Sequence, residues 1–425
     1  MPYQRRLLDD RLDELFPHLA AIAIEGAKGV GKTATASQRV TTVLDLVDPK
    51  QRRSVADNWD LVTQVQPPVL VDEWQLEPSV WDRIRRAVDD DPTGGRFLLT
   101  GSAGIRPGVR IHSGAGRIVS AHLRPMSLIE RGVAQPTVSL RAMLDGEEPP
   151  IEGTTAAALP QYVEEILCSG FPGIRNLPEA ARAAQLDGYL TRIVEQELPA
   201  NGTMVRHSAA LRQWLAAYAA ATATDAAYSV ILDAATPGEP NKPARQTVAN
   251  YREHLERLFI FDPVQAWTPT FAPLSRLTRT PKHHLVDPAL AARLVGVDVD
   301  GLLRGQGQRV APRADTNTWL GALFESLAVQ SIRVYAGAAN ASVGHLRTGN
   351  TKQEIDLIIE APNRKVVAIE IKLATAATDH DVRHLNWLHR QLGERVVDRM
   401  CITTGRHAYR RADGVAVVPL ALLGP

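Results

Sequence analysis

The chain reads as an α/β protein: a mostly parallel sheet with helices on both faces, then a helical unit, then a second α/β domain. Three observations predict this. Over residues 1–135 short apolar strands alternate with helical stretches, the pattern of a parallel sheet covered on both sides. A glycine-rich turn, Gly26-Ala27-Lys28-Gly29-Val30-Gly31-Lys32-Thr33, separates the first strand from a helix. Far along the chain, Glu354–Glu360 and Val366–Leu373 alternate with period two across a short turn, as a hairpin does.

Length and composition agree. At 425 residues the chain exceeds one ordinary core of about 100–150 residues, so several units are expected. Its 44% hydrophobic and 22% charged content excludes a disordered chain. Forty-eight Lys+Arg against 47 Asp+Glu leave +1, so any basic surface for a nucleic acid or a membrane must be local. Cys168 and Cys401 alone cannot build a disulfide framework or a multi-cysteine zinc site, and they point to a reducing, cytoplasmic compartment. The opening MPYQRRLLDDRLDELF carries acids where a signal peptide needs an apolar core, and no run approaches the ~20 apolar residues of a membrane span. No membrane is expected.

Taken in order, Leu19–Glu25 is the first strand, and a helix is expected from Lys32 to about Leu46. Val69–Val71, behind Pro67-Pro68, is the second strand, and Val80–Val88 has helical spacing. Arg96–Leu99 is the third, closed by Thr100-Gly101-Ser102. The alternation fades at Gln135-Pro136, and residues 136–185 read as a linker and helical segment, loosely packed through LDGEEPPIEGTT. Residues 186–270 hold a helix at Leu211–Ala221, a loop at GEPNKPARQ and an amphipathic helix at Thr247–Leu258. FIFDPVQAW follows with strand character, interrupted at Asp262-Pro263. Residues 271–425 open with helices near Pro288–Leu294 and Trp319–Val334, continue into the hairpin, and close with a helix near Asp381–Leu392 and a strand near Met400–Thr403.

Residues 26–33 match G-x-x-x-x-G-K-[ST]. Glycines let several backbone N–H groups face one phosphate, Lys32 reaches the β- and γ-phosphates, and the Thr33 hydroxyl ligates Mg²⁺. In Pro67-Pro68-Val69-Leu70-Val71-Asp72-Glu73, three apolar residues put Asp72 at the carboxyl end of a buried strand, where open parallel sheets hold ligands. Asp72 is then the residue that holds Mg²⁺, and Glu73 the one that orients the attacking water. The acidic pair, with no N-K-x-D-like guanine reader, favours ATP. Ser102, with Thr100, ends the next strand as a candidate sensor of the γ-phosphate, although a capping role is nearly as apt. Arg117, in SGAGRI, is a candidate finger for a neighbouring subunit's nucleotide, which requires an oligomer; an ordinary surface arginine fits as well.

Together GAKGVGKT, PPVLVDEWQ, RFLLTGSA, GRIVSAHLRPMSLIE and SGFPG resemble the AAA+-type ATPases of bacteria and archaea that carry a conserved C-terminal domain of unknown function. Trp74 departs from the aliphatic residue expected there. The resemblance implies a winged-helix unit behind the ATPase domain, with Thr247–Leu258 as its recognition helix and FIFDPVQAW as part of its wing. Lys242, Arg245, Arg252, His254 and Arg257 would suit phosphate contacts with DNA or RNA, but Glu253 and Glu256 share the helix, so an interdomain coupler is the competing reading.

Centred on Asn363, the C-terminal hairpin sets Asp356 opposite Glu370 and Glu354 opposite Lys372. Alternation then puts these four on one face and Ile355, Leu357, Ile359, Val367, Ile369 and Ile371 on the other. The layout D-x(13)-E-x-K resembles the PD-(D/E)XK nuclease core, with Glu325 on the helix GALFESLAVQ as its additional acid. It implies Asp356, Glu370 and Lys372 as catalytic residues and Glu325, Asp356 and Glu370 as Mg²⁺ ligands. A solvated Glu–Lys face without catalysis is the plainer alternative. His283, His284 and His345 lack acids at ligand spacing and are expected to pack or cap. The functional expectation is an ATPase using ATP and Mg²⁺, coupled to a nuclease-like domain acting on or near nucleic acid, with a homo-oligomer or a partner protein as further candidates. The alternative is a nucleotide-switched interaction or DNA-binding regulatory protein whose nuclease-like domain is inactive.

Overall fold

The structure, a computed structural model, describes residues 3–102, 113–200, 208–236, 245–268, 280–304, 316–349 and 352–425. Five strands, β1 (Ala21–Glu25), β2 (Thr42–Asp45), β3 (Val69–Asp72), β4 (Phe97–Gly101) and β5 (Ile118–His122), form a parallel sheet in the order β2-β3-β4-β1-β5. Strand β1 is buried on both faces, with Ile22 and Ile24 in one core and Ala21 and Ala23 in the other beside Trp81 and Ile84. Such two-sided burial is why its sequence is a continuous apolar run. Strand β4 lies between β1 and β3, so its Thr100 is level with Ile24 on one side and Asp72 on the other.

The helix expected from Lys32 to Leu46 is much shorter. It spans Lys32–Ala36, tightens into a 3-10 turn at Ser37–Arg39, and gives way to β2. The run Val40-Thr41-Thr42-Val43 is β-branched throughout, which disfavours helix and suits a strand at the free edge of β3.

The middle of the chain is helical: Leu159–Cys168, Glu179–Arg192, Ser208–Ala220, Tyr228–Ala235 and Arg245–Arg257, with Pro288–Val295 packed among them. Trp214, Tyr218 and Phe261 cluster at its centre, the last two rings stacked at 3.8 Å. After Arg257 the chain turns back in an antiparallel ladder, with Phe261 opposite Leu285 and Val264 opposite Lys282. The expected boundary at 270 lies outside the described residues, in sequence between the two segments that this ladder pairs.

Among the described residues the further strands are β6 (Val138–Ser139), β7 (Ser342–Arg347), β8 (Glu354–Glu360), β9 (Val366–Ile371), β10 (Val396–Thr403), β11 (Tyr409–Arg410), β12 (Ala416–Pro419) and β13 (Leu423–Gly424). The C-terminal sheet runs β11-β12-β10-β9-β8-β7, and the ladder joins its edge through Ala266 beside His345. Helix Thr316–Ala338 supplies Leu323, Phe324 and Leu327 to the core that holds Leu357, Ile359, Val367 and Ile369. Helix Asp379–Leu392 covers the other face with Val382, Leu385 and Leu388 over Ile358, Val366 and Ala368.

Strands β8 and β9 pair Leu357 with Ile369, Ile358 with Ala368 and Ile359 with Val367, the register centred on Asn363. One detail departs from strict alternation. The β7–β8 ladder shifts register between Gly344 and Leu346, and Ile355 packs with Ile358 rather than with Leu357 and Ile359. A bulge of this kind re-aims the neighbouring side chain, and here that neighbour is Asp356.

The stretch expected as a loose linker is laid on the C-terminal domain. Strand β6 pairs with β13, Thr154 bridges His407, and Lys365 Nζ donates to the Asp145 carbonyl at 3.0 Å. Its Gly, Pro and Glu content hides these contacts because most of them are made by backbone.

Candidate nucleotide site and C-terminal carboxylate cluster

The phosphate loop curls at the carboxyl end of β1. Gly26 is pressed against the Leu123 carbonyl, where a Cβ would come within 2.2 Å, so only glycine fits. Gly31, with φ +103°, starts the helix in a left-handed conformation. The Lys32 ammonium, 5% exposed, donates to the carbonyls of Gly26 at 2.9 Å and Ala27 at 3.0 Å. Burial pulls its pKa down to about 8, against the opposing pull of Glu73 and Asp72.

Asp72 gathers two hydroxyls, Thr33 Oγ1 donating at 2.8 Å and Thr100 Oγ1 donating from β4. Glu73 leaves the strand with φ +54°, and its carboxylate accepts from Ser102 Oγ at 2.8 Å and from Gln75 Nε2. Trp74 turns away from the site into the core against Trp81, with ring centroids 4.5 Å apart. The structure thus brings Gly26 to Thr33, Asp72, Glu73, Thr100 and Ser102 to one end of the sheet.

Arg117 lies elsewhere. It precedes β5, whose first residue is level with Ala21, roughly 15 Å along the strands from the phosphate loop at 3.3 Å per residue. It is half-exposed and paired with Asp89 at 2.8 Å, so within one chain it cannot reach the loop Gly26–Thr33.

Several residues of the site were not legible as such. The loop Ser169–Gly173 lies over the phosphate loop: a Cβ at Gly29 would be 3.8 Å from Phe171, and one at Gly31 would be 3.9 Å from Pro172. Tyr189 OH donates to the Lys28 carbonyl at 3.1 Å, and Lys28 pairs with Glu197 at 2.8 Å. Arg6, held by Glu130 at 3.0 Å, donates to the Val30 carbonyl at 3.0 Å. A cleft of about 690 Å³ opens beside helix Lys32–Ala36, lined by Tyr3, Thr35, Gln38, Pro172 and Arg175 among others. SGFPG was conspicuous as a motif, but nothing in its spacing places it on the loop at 26–33.

The second cluster lies where β8 and β9 meet helix Thr316–Ala338. Glu325 and Asp356 come together, but around an ammonium: Lys282 Nζ donates to Glu325 at 2.8 Å and to Asp356 at 2.7 Å. Asp356 also accepts from the Ile371 N–H at 2.8 Å, and Glu370 accepts from Lys372 at 2.6 Å. Burial alone would lower Lys282, but the charges of Asp356 and Glu325 hold its pKa well above the usual lysine value. Burial raises Glu325 and Glu370, the second further raised by the charge of Asp356, while Lys282 and Lys372 keep Asp356 low despite its burial. The expectation that Glu325, Asp356 and Glu370 surround one Mg²⁺ is not met by this arrangement. Among the described residues no group of three acidic, histidine or cysteine side chains is disposed to hold a metal ion.

The candidate recognition helix is engaged inward. Val248, Tyr251 and Leu255 are buried, Arg252 stacks on the Tyr228 ring at 4.4 Å, and His254 bonds the Asn250 carbonyl at 2.7 Å. Among its described side chains the exposed ones are Gln246, Asn250 and Glu253. Lys242 and the Arg245 side chain lie outside the described residues. His283 and His345 bond the carbonyls of Ala226 and Thr280, and all three histidines are buried among their neighbours. Among the described residues no helix is long and apolar enough to cross a membrane.

The parallel sheet, with the glycine-rich loop at the carboxyl end of β1, is consistent with the core of a P-loop nucleoside triphosphatase. Residues 19–131 match the family model described as an AAA domain. Residues 159–301 and 320–423 match two models described as domains of unknown function, DUF8612 and DUF4143. Across 435 aligned positions the chain is 26% identical to uncharacterised proteins of Mycobacterium tuberculosis and Mycobacterium bovis, covering 99% of this chain and 84% of each relative. A solved structure of Drosophila ORC bound to DNA aligns over 60% of this chain and 86% of that one, at 14% identity and a TM-score of 0.23, a likeness too slight to bear on function.

Proposed function

We propose that the chain hydrolyses ATP with Mg²⁺ and passes its nucleotide state to a nuclease-like C-terminal domain that works on or near nucleic acid. The observation that carries the reading is the convergence of Lys32, Thr33, Asp72 and Glu73 at one end of the sheet. Lys32 would exchange the carbonyls of its own loop for phosphate oxygens. Thr33 and Asp72, already in contact, have the hard oxygen donors that suit Mg²⁺, which when bound neutralises phosphate charge. Glu73, steadied by Ser102 and Gln75, would orient the water. The cleft beside Tyr3 offers room for base and sugar. Phosphate release from ATP, measured with and without Mg²⁺, tests this; a wild-type rate that Glu73→Gln leaves unchanged would remove the assignment.

Coupling is supported by a continuous set of bonds. Arg6 links the Val30 carbonyl to Glu130, and the same turn reaches helix Thr316–Ala338 through Arg131 on Gln330 at 2.6 Å and Leu128 N–H on Ser331 at 3.2 Å. The exposed Gln246, Asn250 and Glu253 favour the winged-helix unit as a coupler over a phosphate-contacting reader. One observation favours the second reading, a nucleotide-switched protein whose nuclease-like domain cuts nothing: Lys282 stands between Glu325 and Asp356. Plasmid nicking with Mg²⁺, with and without ATP, separates the two.

A further inference from the structure

Glu325 and Asp356 face one position, and a lysine from a third segment fills it. Lys282 is 2% exposed and lies 3.6 Å from a third carboxylate, Glu354. It belongs to neither the hairpin nor the helix. Two backbone bonds with Val264, each 2.9 Å, fix it in the ladder that closes the middle unit. Its ammonium therefore crosses from the middle unit into the C-terminal domain. A divalent ion needs carboxylate oxygens at about 2.0–2.6 Å, and it cannot share the point where these oxygens already hold an ammonium at hydrogen-bond distance. Glu370 gives one oxygen to Lys372, and its Oε2 is buried without a hydrogen-bond partner.

We propose that Lys282 is the resident cation of this cluster, standing in place of a divalent metal, and that it latches the ladder to the C-terminal domain. The inference follows from the lysine and its carboxylates alone and does not rest on the ATPase reading, which its failure would leave untouched. Withdrawing the ammonium leaves buried carboxylates uncompensated, so the loss should appear as instability that an added cation relieves.

The test uses the full chain without nucleotide. Wild type, Lys282→Met, and Lys282→Met combined with Glu325→Gln and Asp356→Asn are each titrated with Mn²⁺ by electron paramagnetic resonance and melted with and without Mn²⁺. Lys282→Met should bind one Mn²⁺ at least ~10-fold more tightly than wild type, and Mn²⁺ should raise its Tm. The triple variant should bind none there and should regain thermal stability without metal. If Lys282→Met is too unstable to titrate, recovery in the triple variant still reports the latch, and failure to recover counts against it. Wild-type Mn²⁺ binding that Asp356→Asn abolishes would overturn the proposal, as would a Lys282→Met protein as stable as wild type and indifferent to Mn²⁺.

Discussion

Arg124, two residues beyond β5, and Asp262, in the ladder of the middle unit, form an ion pair at 2.8 Å, and Arg333 of helix Thr316–Ala338 meets the same carboxylate at 3.1 Å. One acid thus ties together residues from the N-terminal parallel-sheet domain, the middle unit and the C-terminal domain. Burial would raise Asp262, but the two guanidinium charges hold its pKa well below the usual carboxylate range. A depressed carboxylate stabilises the fold above its unfolded pKa of about 3.9 and loses that contribution as pH falls below it. Asp262→Asn should cost about 3 kcal/mol at pH 7, the low end for a broken buried pair because some of the side chain still meets solvent. Urea unfolding of both proteins should show the gap narrowing once the pH drops below about 4.

Lys32→Ala should abolish the thermal stabilisation given by ATP while leaving the circular dichroism spectrum intact. Losing one charge-assisted contact to phosphate corresponds to roughly 10–100-fold in affinity. Unchanged ATP affinity would mean that the loop is not the phosphate site.

Glu73→Gln keeps the size of the side chain and its contacts with Ser102 and Gln75 but removes the charge. Turnover should fall by about 10²–10⁴-fold with ATP affinity nearly unchanged. Ser102→Ala, which only loosens the carboxylate, should cost less. Steady-state phosphate release with parallel ATP titrations separates the two effects.

Glu370→Gln tests the C-terminal cluster through pH. Burial, then the charge of Asp356, raises Glu370, so the native state binds its proton more tightly than the unfolded chain does. The stability this gives is full below the unfolded value of about 4.3 and is lost as pH rises toward the raised value. Glutamine needs no proton. The variant should therefore gain on wild type between pH 5 and pH 8, by at least ~1 kcal/mol if the shift exceeds one pKa unit. A constant difference across that range would show that Glu370 titrates normally.

Arg117→Ala should leave the turnover of an isolated monomer unchanged, because its own site is out of reach. If the chain assembles and the arginine serves a neighbour, mixing Arg117→Ala with Glu73→Gln protein should recover part of the lost activity. A mixture no faster than the sum of its components would leave Arg117 as a partner of Asp89 only.

The convergence of the residues proposed to hold nucleotide was legible because it is local in sequence. Lys32 and Thr33 are adjacent, and three apolar residues aim Asp72 and Glu73. The hairpin register was legible for the same reason, since a short turn fixes which residues face each other. Lys282 was not. It reaches Asp356 across 74 positions, from a stretch crowded with Pro and Thr that carries no periodic signal. The direction of Asp356 was also hidden, because the bulge that turns it depends on β7 as well as on its own strand. The early helix boundary failed where β-branched residues after Ala36 met a free sheet edge.

The pairing of Leu423–Gly424 with Val138–Ser139 bears on how the molecule is born. A ribosome delivers Val138 long before residue 423 emerges, so the N-terminal parallel sheet can form while the strand beside it still lacks its mate. The next helix, Leu140–Asp145, with buried Leu140, Met143 and Leu144, must wait as well. Contacts so distant in sequence close late. During synthesis that apolar stretch stays without its native cover until helix Thr316–Ala338 and strands β9 and β10 have emerged.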